Sequence, residues 1–568
     1  MRILLLCSAF NGLSQRAWIE LRRMGHDVRV QLATGPEAMV AAVADFSPDL
    51  VVCPYLRERV PAEVWSRRRT IIIHPGPTGD RGPSSLDWAI TEAASEWGVT
   101  ALQAVEEMDA GPVWATRTFP LDAEPVRKGS LYNGGVADAA IELIREVVVK
   151  AADPTFAPEP VDHGHPDVHG RLRPLMRQDD REFAWSDTTE RVLRRIRAAD
   201  GSPGVRTTLC GLPVSVFDAH RGSFATGEPG SVVARQHGAV LVRTGDGAIW
   251  VGQARLVPRD GERTLKLPAV SVLGHHLGDV PELVAPLDDP ERRLGPREIS
   301  YRQDGAVGVV SFSFYNGAMS TGQCRRLAAA LRHAATRDTT VVVLSGGEVF
   351  SNGIHLNIIE AAEHPAAEAW RNINAIDDVC REIIECRQLV VAAVGGNAGA
   401  GGVMLALGAD QVVLREGVVL NPHYQTMGLF GSEYWTYVLP RRIGHREARE
   451  LTGRGLPIGP SEALRIGLAD EVLAGGPGEF EHTVIEAASR AAVERGASIL
   501  EAKAAARRTD EQPRPLLAYR VEELAEMSRD IFDDRNGFAA ARHAFVLNEP
   551  APITLGAISN LPVSALAS

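Results

Sequence analysis

Along the first 150 residues, short runs of aliphatic and β-branched positions alternate with stretches whose apolar residues recur every three or four places. Arg2 to Cys7, Asp27 to Gln31 and Leu50 to Cys53 read as strands, with helices from Ser14 to about Gly25 and over Pro36 to Phe46. This alternation predicts an open, mostly parallel α/β sheet. Thr70 to Ile73 is apolar enough for a strand buried on both faces, and it delivers His74 at its carboxyl end, where open α/β sheets place their ligands. After a Gly/Pro turn, Ser84 and Asp87 predict a capping-box-like start for a helix through Trp88, Ile90 and Ala94. Val99 to Val105 reads as the next strand. It runs out at Asp109-Ala110-Gly111, so a carboxylate is expected at the end of a strand lying close to the one that carries His74.

The pattern changes twice further on. Pro154 to Pro174 is aperiodic and reads as a linker, assigned to 154–180. A helix and short strands (Pro213 to Phe217, Gly230 to Arg235, Ala239 to Arg243, Ala248 to Val251) then predict a small β-barrel over 181–280. Pro-rich Val280 to Pro296 marks a second linker, 281–299. Beyond it the alternation restarts: strands at Ala306 to Phe314, Thr340 to Ser345 and Leu389 to Val394, with a helix over Thr321 to Thr336. The expected organisation is therefore an α/β domain over 1–153, the barrel, and a third domain over 300–568.

Composition narrows the class. A net charge of −12 opposes long-range attraction to a polyanion, so no nucleic-acid partner is expected, Arg67-Arg68-Arg69 notwithstanding. Six cysteines without CxxC spacing fit a reducing compartment, and the apolar run Ile3 to Leu6 is too short for a signal peptide. No run approaches the roughly 18 apolar residues of a membrane helix. A cytoplasmic protein with no membrane partner is expected. His163, His165 and His169 beside Asp162 and Asp167 could hold a metal in isolation, but such composition is more often a polar tether, and no metal site is assigned. The loop Ser8 to Gly12 lacks the GxGxxG of a dinucleotide site.

A histidine and a carboxylate at adjacent strand ends can act as acid and base, or the carboxylate can orient the imidazole. The stretch from Thr70 to Gly111 resembles the N10-formyltetrahydrofolate-dependent formyltransferases, whose fingerprint is Asn-x-His-Pro-Ser, a Gly-Pro turn, a helix, then Gly-Val-Thr and an Asp in a Met-Asp-x-Gly-like turn. His74, Gly98-Val99-Thr100 and Asp109 match it. The resemblance implies catalytic His74 and Asp109, a folate site bordered by Leu56, Ile72, Pro75, Gly76 and Gly111, and extends through Ile196-Arg197-Ala198 and Pro203-Gly204 to about residue 280. The family's asparagine falls on Ile72 and its serine on Gly76, so oxyanion stabilisation passes to His74 or a backbone N–H, and an amine acceptor is put in doubt.

In the second half, Phe350 to Leu356 and the Gly-rich turn Val394 to Leu405 each leave a strand, and either could point free N–H groups at an anion. Together with Leu420 to Gly444 they resemble the crotonase family of enoyl-CoA hydratases and isomerases, with its ββα superhelix. The resemblance places the two carbonyl-polarising amides on Ile354 and Gly401, and the coenzyme A site on Asn316, Gly353, His355 and Gly402. The family's two glutamates fall on Met404 and Tyr424, so water addition to a double bond is not expected. His355, His423, Tyr424, Ser432 and Glu433 are the polar candidates nearby, with Tyr424 and Glu433 assigned to catalysis.

A formyl-folate half joined to an acyl-CoA half has one economical chemistry: formyl passes to the CoA thiol, and the formyl-CoA is consumed by hydrolysis or by loss of carbon monoxide. The HPG and SEYWTY segments make the whole chain similar to a family of hydrogenase maturation factors, which implies carbon monoxide as product and [NiFe]-hydrogenase maturation proteins as partners. A non-catalytic carrier, or a formyltransferase acting on tRNA or a sugar amine, stays open at this stage.

Overall fold

The computed structural model describes residues 1–549 except 122, 123, 125, 163, 164, 167, 224, 260, 261 and 289–294. Among these the chain forms two compact units, one over 1–283 with 295–296, the other over 284–288 and 297–549.

The first unit opens with β1 (Arg2–Cys7), β2 (Asp27–Leu32), β3 (Leu50–Tyr55), β4 (Thr70–His74), β5 (Glu96–Gln103) and β6 (Val113–Pro120), in the sheet order β2-β1-β3-β4-β5-β6. β1 to β4 are parallel, whereas β5 runs antiparallel to both neighbours. Helix Pro36–Phe46 lays Met39, Val43 and Phe46 on Leu4, Leu6, Val51 and Cys53. Helices Gly12–Arg23 and Ala137–Ala152 pack on each other and on the sheet. Successive residues of β1 are buried on both faces, which is why its sequence is a continuous apolar run rather than an alternating one.

The expected barrel does not close. β7 (Val205–Leu209), β8 (Leu212–Arg221), β9 (Val232–Gln236), β10 (Ala239–Arg243) and β11 (Ala248–Leu256) form an open antiparallel sheet ordered β7-β8-β11-β10-β9, with β12 (Leu267–Pro268) against β11. Its apolar face is covered by Val192, Leu193 and Ile196 of helix Thr189–Ala198 and by Ala269 and Leu273 of helix Ala269–Leu273. With helices supplying the cover, β7 and β9 need not pair.

Part of the stretch read as a tether is ordered against the histidine loop. Gly170 N–H donates to Thr78 O, Arg81 N–H to Arg171 O, and Arg173 N–H to Arg81 O. Met176 N–H donates to Ser84 Oγ, so Ser84 is spent on this contact rather than on capping helix Ser85–Thr91, and Asp87 pairs with Lys128 and Arg181 instead. His163 and Asp167 of the possible metal set lie outside the described residues.

The second unit contains a sheet of β13 (Ile299–Asp304), β14 (Val307–Phe312), β15 (Val341–Gly346), β17 (Leu389–Val394), β19 (Gln411–Arg415) and β21 (Glu471–Leu473) in that order. A smaller sheet, β16 (Val349–Ser351), β18 (Asn397–Gly399) and β20 (Leu420–Asn421), completes the crotonase-type spiral. Val341, Val343 and Val391 face Phe480, Val484 and Ala488 of helix Pro477–Glu511. The alternate residues Val342, Leu344, Val390 and Ala392 join the core under helices Thr321–Ala335 and Pro365–Glu385. Each buried Val, Leu or Phe side chain among them contributes roughly 1.5–3 kcal/mol.

Candidate functional site

The chemistry-bearing residues gather at two places, one in each unit. In the first, β4 ends at His74 and the turn after it is pinned from β5 and the following helix. Pro75 O accepts from Ser85 Oγ at 2.7 Å and Trp97 Nε1 at 2.9 Å, and Gly76 O from Thr100 Oγ1 at 2.8 Å. This accounts for the Gly-Val-Thr motif: Thr100 holds the turn, and a Cβ on Gly98 would come within 2.9 Å of Arg117 O.

His74, 4% exposed, lies between two carboxylates. Its Nδ1 is 3.6 Å from Asp109 Oδ2, and its Nε2 is 2.9 Å from Asp80 Oδ2. Asp109 does not arrive by strand-end register as expected. β5 pairs Thr100 with His74 and Gln103 with Ile71, so its carboxyl end is the far one. The loop 104–112 doubles back instead, with Ala104 N–H on Thr70 O, Gln103 N–H on Pro112 O and Gly82 N–H donating to Asp109 Oδ2 at 3.3 Å. Asp109 adopts φ +56°, a left-handed conformation of the kind active sites hold under constraint.

Asp80 was not anticipated. Its second oxygen pairs with Arg173, which also binds Glu92 at 2.8 Å. Both signals were hidden: Asp80 sits among turn-formers, and Arg173 in the Pro/His-rich stretch. Leu56 and Ile72 border one apolar cluster with Val60 and Val64, so position 72 offers the site no polar group.

In the second unit, β16 and β18 are parallel neighbours, and the loops leaving them emerge side by side. Gly353, at φ +76°, brings its Cα so near Gly401 that a Cβ would sit 3.3 Å from the Gly401 nitrogen, and a Cβ on Gly402 would overlap Ser351 O. Gly401 opens helix Gly401–Leu407, where N–H groups have no intrahelical acceptor. Among the described residues neither the Ile354 nor the Gly401 amide donates to a protein group. Asn316, at φ +56°, accepts from Asn352 Nδ2 at 2.9 Å through its carbonyl. His355 caps helix Leu356–Ala361, with Nδ1 accepting from Ile358 N–H at 3.3 Å. Met404, in place of the family's glutamate, is core.

A different carboxylate occupies the space. Glu433, fully buried, lies against Gly401 so closely that a Cβ there would overlap it. It accepts from Tyr424 Oη at 2.9 Å and from Ser432 N–H at 3.1 Å. Burial, reinforced by the neighbouring Asp377, pushes Glu433 up to about 8, and burial holds the Tyr424 phenol neutral far above its usual range. Glu433 and Tyr434 are both left-handed, at φ +61° and +59°. Three further backbone amides of this turn donate to carboxylates: Glu433 N–H to Asp377 at 2.8 Å, Tyr434 N–H to Glu523 at 2.9 Å and Thr436 N–H to Glu523 at 2.8 Å. His423 donates Nδ1–H to Asn421 O at 2.8 Å, and burial keeps its imidazole neutral. Among the described residues no group of three or more His, Cys, Asp or Glu could hold a metal, and no helix is long and apolar enough to cross a membrane.

Fold and site define a formyltransferase-type unit joined in one chain to an enoyl-CoA hydratase/isomerase-type unit. The formyl transferase C-terminal domain family matches residues 175–263, and the enoyl-CoA hydratase/isomerase family residues 305–542. The hydrogenase maturation factor HoxX of Bradyrhizobium diazoefficiens is 44% identical over 98% of this chain and 97% of its own length. A crystal structure of HypX from Aquifex aeolicus in complex with tetrahydrofolic acid is 41% identical, with a TM-score of 0.94 over 98% of each chain. Methionyl-tRNA formyltransferase of Roseiflexus castenholzii is 30% identical over 44% of this chain and 82% of its own. The chain belongs to the HoxX/HypX family of hydrogenase maturation factors.

Proposed function

We propose that the chain makes carbon monoxide for [NiFe]-hydrogenase assembly in two steps: formyl transfer from N10-formyltetrahydrofolate to coenzyme A, then breakdown of formyl-CoA to carbon monoxide and CoA. The observation that carries it is the buried Tyr424–Glu433 pair beside Gly401. A thioester carbonyl held by the Ile354 and Gly401 amides would place its substituent next to a carboxylate, in a unit whose hydratase carboxylate positions are Met404 and Tyr424.

Formyl-CoA has no α-carbon, so no enolate can form. Glu433 takes the formyl proton, the C–S bond breaks, carbon monoxide departs, and the thiolate recovers a proton through the Tyr424 hydroxyl, which Glu433 reprotonates. In the first step the thiol sulfur attacks the formyl carbon, the C–N10 bond breaks, and His74 and Asp109 carry the proton from sulfur to N10. The relative solved with tetrahydrofolic acid supports folate as donor.

Full-length protein given formyl-labelled formyltetrahydrofolate and CoA is expected to release labelled carbon monoxide, trapped by deoxyhaemoglobin. Tyr424→Phe and Glu433→Gln are expected to lower the yield by about 10²- to 10⁴-fold. No labelled gas from the wild type, or undiminished gas from both variants, removes the assignment.

A further inference from the structure

We propose that Asp80 and His74 form a thiol-activating dyad: Asp80, held by Arg173, keeps the imidazole proton on Nε2, and Nδ1 accepts the proton of the acceptor thiol. The inference rests on the proposed transfer to CoA and adds how that acceptor becomes nucleophilic.

Asp80 is 1% exposed, and Arg173, which can only donate, occupies its Oδ1, leaving Oδ2 to accept from His74. The imidazole nitrogen that it binds, Nε2 at 2.9 Å, must then carry the proton. Nδ1 makes no such contact: it faces Asp109 Oδ2 at 3.6 Å, too far for a direct hydrogen bond, and is the nitrogen the thiol would meet. A histidine whose one nitrogen is fixed by a buried carboxylate while the other meets a nucleophile is the general device for activating hydroxyls and thiols. Among the described residues the charged groups paired with His74 are Asp80 and Asp109, with Arg173 and then Glu92 behind Asp80.

The departure at position 76 gains a physical meaning here. A Cβ on Gly76 would overlap Asp80 Oδ2 and come 2.7 Å from His74 Nε2, so the serine of the amine-formylating fingerprint would drive the pair apart. An amine attacks through its own lone pair, whereas a thiol at neutral pH is mostly protonated, only a few per cent being thiolate. The step balances. The S–H proton moves to Nδ1, sulfur bonds to the formyl carbon, the C–N10 bond breaks, and N10 takes the proton back from Nδ1; nothing is oxidised or reduced.

The test is CoA-dependent release of tetrahydrofolate by the full chain between pH 6 and 9. Asp80→Asn is expected to be slowed about 10²- to 10⁴-fold at pH 7 and to recover about tenfold per pH unit as the thiol ionises unaided. Gly76→Ser is expected to behave alike. If the wild type shows no CoA-dependent release, the transfer itself is overturned. If the wild type turns over and Asp80→Asn matches it, or is slowed equally at every pH, the dyad alone is overturned. The side-chain ¹⁵N resonances of His74 in wild-type protein, assigned with His74→Gln, give a readout apart from activity and serve if Asp80→Asn does not fold. Protonated Nε2 is expected, and a neutral ring protonated on Nδ1 overturns the dyad.

Discussion

Glu433 is asked to act as a base from a place that disfavours charge. Burial, with Asp377 close by, pushes it up to about 8, and burial pushes Asp377 itself up to about 6. Three carboxyl groups, those of Asp377, Glu433 and Glu523, meet in this interior, with Arg520 reaching Asp377 at 3.8 Å. At pH 7 most Glu433 therefore holds its proton. The breakdown of supplied formyl-CoA should accordingly rise about tenfold per pH unit below 8 and level off above it, as the base form fills. Single-turnover rates between pH 6 and 9 check this, and a rate that falls with pH refutes it. The same shift has a stability consequence of opposite sign to that of a salt-bridged carboxylate. Between the ordinary 4.5 and about 8 the folded chain keeps a proton that the unfolded chain releases, so this group's contribution falls as pH rises through that window. Glu433→Gln should flatten that part of a denaturation-against-pH curve.

At the scale of elements, close approach of backbone to backbone decides where the reactive groups stand. A Cβ on Gly111 would overlap the carbonyl of Gln103, the residue whose N–H donates to Pro112 O at the base of the loop carrying Asp109. Gly111→Ala should therefore displace Asp109 and cost formyl transfer about 10²-fold, the usual penalty for a misplacement near 1 Å, while breakdown of supplied formyl-CoA is unaffected. Equal loss of both activities would argue for general unfolding instead. Much at this scale was legible: apolar periodicity located Pro36–Phe46, Ala239–Arg243 and Leu389–Val394 at the bounds the structure has. The direction of β5 was not, because a period of two is the same read either way. Nor was the open edge of the second sheet, since inward-facing residues look alike under a helix or across a barrel. Asp80 and Arg173 are 93 positions apart, and nothing local in either stretch points to the other. Asp377 was within reach of inspection, for it lies on the stripe of Ile373, Ile376, Cys380 and Ile384, where a carboxylate has no structural reason to be. Glu523 breaks the buried side of helix Leu516–Phe532 in the same way.

At the scale of the whole molecule, each unit has its own sheets and its own core, Leu4, Val51 and Cys53 anchoring one and Val342, Leu344 and Val390 another. Lesions that share no packing add independently, so the two half-reactions should be separable by single substitutions in the full chain. Asp109→Asn removes the carboxylate that faces His74 Nδ1: CoA-dependent tetrahydrofolate release should fall about 10²- to 10⁴-fold, while carbon monoxide from supplied formyl-CoA stays within about twofold. Glu433→Gln should do the converse, with transfer retained and labelled formyl thioester accumulating where the wild type yields gas. Quantifying tetrahydrofolate, formyl thioester and carbon monoxide in the same reactions makes the order of steps visible, because only the intermediate of a sequence piles up when its consumer is blocked. If Glu433→Gln yields labelled formate and no thioester, the one-carbon unit never reached sulfur, and the two units do not act in series.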